Sequence, residues 1–176
     1  MSATLATDKF INFFNCPFVD IKYKKFSLQN YFLKEYITDD WFEETIKTIV
    51  QLEKTEQDGD ILVFLTGQEE INEAHEILKE YIDISNCKFF TMYSSMPIEE
   101  QELVFEKYPI RKIILSTNVC ETSITIENIK FVVDCGRVKQ MRYSDNLGMS
   151  ILETVMISKA QARQRSGRAG RTEPGK

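Results

Sequence analysis

Histidine is nearly missing from this chain of 176 residues, which carries only His75. Its four cysteines, Cys16, Cys87, Cys120 and Cys135, stand far apart and form no C-x-x-C pair. Zinc ligands come in close Cys or His pairs, so the expectation is reduced, mostly buried thiols and no metal site. No apolar run approaches the roughly 20 residues that a membrane span needs. Met1-Ser2-Ala3-Thr4 gives no basic start for a leader peptide, and Asp8 and Lys9 interrupt any apolar stretch behind it. Internal repeats and low-complexity linkers are also lacking. What remains is the profile of one soluble intracellular domain, with 43% hydrophobic and 28% charged residues. That length is enough to bury most of the apolar surface of the unfolded chain.

Charge is unevenly spread. The net charge is −5, but residues 137–176 hold nine Lys/Arg against three Asp/Glu, a net of +6. Residues 1–136 hold 13 basic and 24 acidic side chains, a net of −11. A basic end on an acidic body suits an anionic partner such as phosphate or nucleic acid, although a charge run is commonly just a solvated face.

Ile61-Leu62-Val63-Phe64-Leu65 is a continuous apolar run between Asp58-Gly59-Asp60 and Thr66-Gly67, the pattern of a strand covered on both faces. From Glu69 the period becomes helical, with Ile71, Ala74, Ile77, Leu78 and Tyr81 on one face. Residues 88–92 suit a second strand, and Pro97 suits the first turn of a helix to about Lys107. Further strands follow at 113–115 and at 131–133, the latter ending at Asp134. The alternation predicts an α/β domain with a mostly parallel sheet. Residues 138–157 predict an antiparallel hairpin around 144–148, and 159–166 a short helix. Upstream, 19–33 is rich in β-formers, and 39–56 reads as a helix opened by Thr38-Asp39-Asp40.

Two stretches carry candidate chemistry. In residues 164–171, QRSGRAGR, Arg165, Arg168 and Arg171 recur every three residues between glycines. Glycine lets backbone approach a ligand closely, and arginine offers a permanently charged fork of donors to phosphate oxygens. Three such arginines would repel one another without an anion to face. Spacing alone leaves open a basic surface loop or a nucleic-acid patch without catalysis. Residues 116–126, STNVCETSITI, follow a strand, so their hydroxyls and amide lie at the carboxyl edge of the sheet, where open α/β folds bind ligands. Turns and helix caps use the same residue types and are the simpler account.

Together with Ser2-Ala3-Thr4 and the FLTGQEEI of residues 64–71, these stretches resemble, in order, motifs III, IV, V and VI of superfamily 2 helicases. The wording is similar to DEAH-box RNA helicases of the spliceosomal and ribosome-biogenesis type, over essentially the whole chain. The resemblance implies a RecA-like three-layer domain with a protruding β-hairpin. Residues 1–17 would be the end of a first RecA-like domain plus linker, and 18–176 the second. Arg168 and Arg171 would be arginine fingers on the γ-phosphate of ATP, with Gln164 contacting that phosphate or placing the attacking water. Phe105 would stack on adenine, with a core position on an amphipathic helix as the alternative. Glu127 stands where the family bonds the ribose, usually through Asp. Thr66, Gly67, Thr117, Asn118 and Thr122 would contact the RNA backbone, and Ser2 and Thr4 would couple ATP state to domain movement.

The resemblance also says what is missing. No Gly-x-x-x-x-Gly-Lys followed by Ser or Thr occurs, and no DEAH tetrad, so ATP with Mg2+ would need the first RecA-like domain. The expectation is a piece of a longer helicase, inactive alone. Its partners would be single-stranded RNA or a ribonucleoprotein, the remaining domains of the same protein, and a G-patch activator, in the nucleus or cytoplasm and not at a membrane. A non-catalytic module binding RNA or a partner is the alternative from another class, and a DNA-directed relative a third. Departures from the family include IKYKKFSL at 21–28, Cys120 where Ala is usual, and Arg137 where Phe is usual, an extra phosphate contact by expectation.

Overall fold

The computed structural model describes residues 7–19, 26–34, 40–56, 58–121, 125–146 and 148–176. In chain order these form α1 (Thr7–Phe14), α2 (Trp41–Thr55), β1 (Asp60–Phe64), α3 (Gln68–Tyr81), β2 (Cys87–Met92), α4 (Ile98–Glu102), β3 (Arg111–Ser116), β4 (Ile129–Asp134), β5 (Arg137–Ser144), β6 (Met149–Met156) and α5 (Lys159–Ser166). One-turn 3-10 helices cover Leu103–Phe105 and Asn118–Glu121.

The main sheet runs β2-β3-β1-β4 with every pair parallel. All five residues of β1 are buried, as a strand between two layers must be. Side chains alternate across the sheet. Ile61, Val63, Ile113 and Leu115 pack under Ile46 and Ile49 of α2 and Ile71, Ala74 and Leu78 of α3. Leu62, Phe64 and Ile114 face the other way, under Val104, Cys120, Ile126 and Ala169. That second layer is built of short turns rather than long helices, and it brings the candidate residues onto one face.

The β4 edge is covered. Val132 N–H donates to the Lys176 carbonyl and Lys176 N–H to the Lys130 carbonyl, each at 2.9 Å, while Leu28 bridges to Gly175 in parallel. Covering an edge removes a template for unwanted pairing. β5 and β6 form a separate antiparallel hairpin, in register from Arg137 opposite Met156 to Ser144 opposite Met149. Gly148 closes its turn at φ +62°.

Four expectations change. The helix predicted from Pro97 to Lys107 stops at Glu102 and tightens into the 3-10 turn, where the Lys112 ammonium takes the Val104 and Glu106 carbonyls. Asp40 does occupy the N-cap of α2, but its side chain makes no capping bond. Tyr81, expected on the buried face of α3, is exposed at the helix end. Among the described part of 19–33, the only β pairing is the single bridge at Leu28. Cys16 is exposed, whereas Cys87 and Cys120 are buried. Among the described residues no helix is long and apolar enough to cross a membrane.

Candidate functional site

Ser158 opens α5 with a capping box. Its hydroxyl accepts from Gln161 N–H, and the Gln161 side chain accepts from Ser158 N–H. A fixed start sets the rotation of a short helix, so Gln164 and Arg165 are placed before the chain turns at Gly167. Gln164 lies half-buried in the last turn.

Arg165 departs from the sequence reading. It faces no external anion: it is fully buried and meets two carboxylates of this chain. Its Nε donates to Glu121 Oε1 at 2.6 Å, and its Nη1 to Asp134 Oδ1 at 2.7 Å and to the Arg137 carbonyl at 3.1 Å. Burial works against its charge, but Asp134 and Glu121 outweigh that and hold its pKa above the ordinary arginine value. The guanidinium also lies 4.9 Å from the Phe64 ring centroid. Arg165 therefore ties together the turn after β3, the end of β4 and the base of the hairpin.

Arg168 and Arg171 are placed differently. Both border one narrow crevice with Leu62, Cys120, Ile126 and Ile129, too tight to admit a water molecule, so an anion would meet the arginines at its rim. Arg168 Nη2 donates to the Glu121 carbonyl. Arg171 is exposed, and its Nη1 donates to Thr125 Oγ1 at 2.8 Å. Burial and the neighbouring Arg171 charge lower the Arg168 pKa, which marks the pair as mutually repulsive cations at a cleft. Two such guanidinium groups suit an anion with several oxygens.

Phe105 is 45% exposed, and the core position beside it is taken by Val104, which is fully buried. The reading of Phe105 as a core residue is overturned. Glu127 is also exposed, and Lys107 Nζ lies 3.8 Å from its carboxylate, so the segment after Phe105 borders the segment bearing Glu127. Val104 and Ile126, the neighbours of Phe105 and Glu127, pack in the same layer as Cys120.

At the carboxyl edge, Thr66-Gly67 follow β1 and Thr117-Asn118 follow the neighbouring β3. Asn118 is exposed. Thr117 N–H donates to the Met92 carbonyl at 3.0 Å, and its hydroxyl accepts from Val119 N–H at 3.5 Å. Thr66 is buried, and its hydroxyl donates to Glu70 Oε1 at 2.7 Å. Glu70 also binds Lys139 of the hairpin at 2.9 Å. Gly67 is packed beside this pair: a Cβ there would stand 2.9 Å from Glu70 Oε2 and 3.0 Å from Lys139 Nζ. Thr122, Ser2 and Thr4 lie outside the described residues. Arg137, expected at a phosphate, has its guanidinium 6.0 Å from the Trp41 ring.

Residues 170–176, GRTEPGK, repeat the glycine and lysine spacing of a phosphate loop. Here Gly175 N–H donates to the Ser27 carbonyl, and Lys176 pairs along β4. Lys176 Nζ contacts Glu56 at 2.6 Å. This segment is an edge cover and not a strand-to-helix phosphate cradle.

Sequence reasoning missed Glu121 and Asp134, the partners of Arg165, and Lys112 beneath Phe105. A carboxylate inside the hydroxyl-rich stretch, and one closing an apolar strand, were the available signals.

Comparison with known proteins places the fold in a family. Residues 43–173 match the helicase conserved C-terminal domain. The chain is 43% identical over 183 residues to the pre-mRNA-splicing factor ATP-dependent RNA helicase prp22 of Schizosaccharomyces pombe, covering 99% of this chain and 16% of that protein. It is 42% identical to the probable ATP-dependent RNA helicase DHR2 of Saccharomyces cerevisiae, covering 100% of this chain and 25% of the relative. For the human probable ATP-dependent RNA helicase DHX35 the identity is 37%, with coverages of 99% and 28%. The chain thus spans between about a sixth and just over a quarter of the length of these relatives. The crystal structure of the Escherichia coli DExH-box NTPase HrpB superposes with a TM-score of 0.88 at 32% identity, over 99% of this chain and 22% of that one. With a parallel sheet and an antiparallel hairpin, the chain belongs to the helicase conserved C-terminal domain family, as a second RecA-like domain of the DEAH-box RNA helicase type.

Proposed function

We propose that this domain works as the second lobe of an ATP-dependent RNA helicase, supplying Arg168 and Arg171 to the γ-phosphate of an ATP held mainly by a first lobe. The observation that supports this most directly is that both arginines border one crevice with Cys120 and Ile126, the latter next in sequence to Glu127. Two guanidinium groups close together offer the kind of donors that phosphate oxygens take. The Mg2+ that accompanies ATP would be held by the first lobe, as the resemblance implies.

Phosphoryl transfer needs positioning and charge stabilisation more than covalent chemistry. Arg168 and Arg171 would neutralise charge developing on the transferred phosphoryl oxygens, Gln164 would place the attacking water, Phe105 would stack on the base and Glu127 would bond the ribose. Gly67, Thr117, Asn118 and Thr122 would hold the RNA backbone at the carboxyl edge, whereas Thr66, buried with its hydroxyl on Glu70, would serve only through that packing. Loss of the γ-phosphate releases the arginines and lets the lobes separate, which moves the RNA. Residues 1–17 would belong to the first lobe and linker, with Ser2 and Thr4 transmitting the closure. The substrates would be RNA or ribonucleoprotein in splicing or ribosome assembly, the first of which the name of the prp22 relative supports, with a nuclear location and a G-patch activator.

RNA-stimulated ATPase assays on the full-length protein carrying this domain test the reading. Arg168→Ala and Arg171→Ala should each lower kcat by about 10³-fold or more, in line with other trans-acting arginines, while ATP binding is largely kept. The isolated domain should show no Mg2+-dependent turnover. Normal turnover in Arg171→Ala, or hydrolysis by the domain alone, overturns the proposal.

A further inference from the structure

Lys112 sits in β3 and is 4% exposed, an unusual place for an ammonium. Its Nζ donates to the Val104 carbonyl at 3.0 Å and to the Glu106 carbonyl at 3.2 Å. These are the two peptide carbonyls that flank Phe105. They are orphaned because the chain leaves helical geometry there, and a buried carbonyl without a donor is costly. Asp60, on the adjacent strand and 8% exposed, supplies the counter-charge: its Oδ2 lies 3.5 Å from Lys112 Nζ, and its Oδ1 accepts from Lys112 N–H at 2.8 Å. The Val104 side chain is pinned in the core from the same turn. The Phe105 ring is consequently the one large side chain of Leu103–Phe105 set between two fixed carbonyls, and it remains open to solvent.

We infer that Lys112, neutralised by Asp60, is the positioning residue that fixes the Phe105 ring as the platform for the nucleobase of ATP. The inference rests on the proposed stacking role of Phe105. Lys112 has no need to touch the nucleotide: it acts through the backbone on either side of the ring. An apolar side chain at 112 would leave both carbonyls free to rotate, and the tight turn would relax toward the α-helix that the sequence pattern predicts. Burial pushes the Asp60 carboxyl above its ordinary range, while the Lys112 N–H and ammonium pull it back, as expected for a counter-ion held in place by its partner. Removing Lys112 alone would strand that buried carboxylate, so a clean test changes both residues.

The experiment is a steady-state comparison in the full-length protein of wild type, Phe105→Ala, Asp60→Asn/Lys112→Met, and the triple variant. Base stacking is worth enough that Phe105→Ala should raise KM for ATP about tenfold. The charge-free pair should raise it by a similar factor, with kcat at saturating ATP kept within about twofold, because uniform binding rather than chemistry is lost. It should add nothing further once Phe105 is gone, and discrimination between ATP and UTP should shrink in parallel. Should the pair fail to fold, Asp60→Asn/Lys112→Gln keeps one donor and should give a smaller rise, about threefold. A pair whose effect adds fully to Phe105→Ala, or falls on kcat instead, sinks the positioning role. An unchanged KM in Phe105→Ala alone removes the base platform itself, and Lys112 loses its assignment with it.

Discussion

Arg165 Nε lies 2.6 Å from Glu121 Oε1, and neither side chain has more than a sliver of solvent contact. Removing one partner of a buried charge pair leaves the other uncompensated, at a cost of about 3–5 kcal/mol. Arg165→Met would strand both Glu121 and Asp134, so urea unfolding of the domain should show a loss in that range. Arg171→Ala, by contrast, should lie within about 0.5 kcal/mol of wild type, since Arg171 is exposed and gives up two surface bonds, to Thr125 and to the Gly167 carbonyl. Arg165→Lys should fall between, because one ammonium cannot serve Glu121, Asp134 and the Arg137 carbonyl together. Equal stability of the Arg165 and Arg171 variants would show that Arg165 is not the structural tie described here.

That contrast marks the limit of sequence reading. Arg165, Arg168 and Arg171 look equivalent at a spacing of three, yet the first is a core residue and the others line a cleft. What separates them is where Glu121 and Asp134 lie, 44 and 31 residues away in the chain. The strands were legible because burial on two faces leaves an apolar run, and β1, β3 and β4 appear where those runs predict. The hairpin was legible from its turn residues. The helix after Pro97 was not, because a lysine six to eight residues downstream takes the carbonyls at its end. Of the candidate site residues, Phe105 and Glu127 are both exposed, with Lys107 two residues after Phe105 reaching Glu127, while Thr66 turns its hydroxyl inward to Glu70.

Asn118 is exposed at the carboxyl edge of β3 and is uncharged. If it bonds the RNA backbone, Asn118→Ala should weaken RNA binding by about 1 kcal/mol, the worth of one hydrogen bond. The slope of log K against log salt should stay the same, because no counterion release is lost. Each lost cationic contact would instead lower that slope by about 0.7 for single-stranded RNA. Fluorescence anisotropy at several salt concentrations separates the two patterns, and an unchanged affinity would take Asn118 out of the interface.

Glu70 gives a pH-dependent link between α3 and the hairpin. Burial pushes its carboxyl up, but the Thr66 hydroxyl and the Lys139 ammonium outweigh that and set its pKa below the ordinary 4.5. A carboxyl with a depressed folded pKa holds its proton more tightly in the unfolded chain. Its stabilisation is therefore complete above about pH 4.5 and is lost as pH falls through the folded value. Glu70→Gln should flatten this acid limb and lower Tm at pH 7 by about 2–4 °C, the shift expected for roughly 1 kcal/mol in a domain of this size. Hydrogen exchange should quicken first at the hairpin base around Lys139, since that end of β5 loses its tie to α3. The same exchange pattern should develop in wild type on acidification. An acid limb unchanged by Glu70→Gln would show that this carboxylate does not hold the hairpin to the sheet.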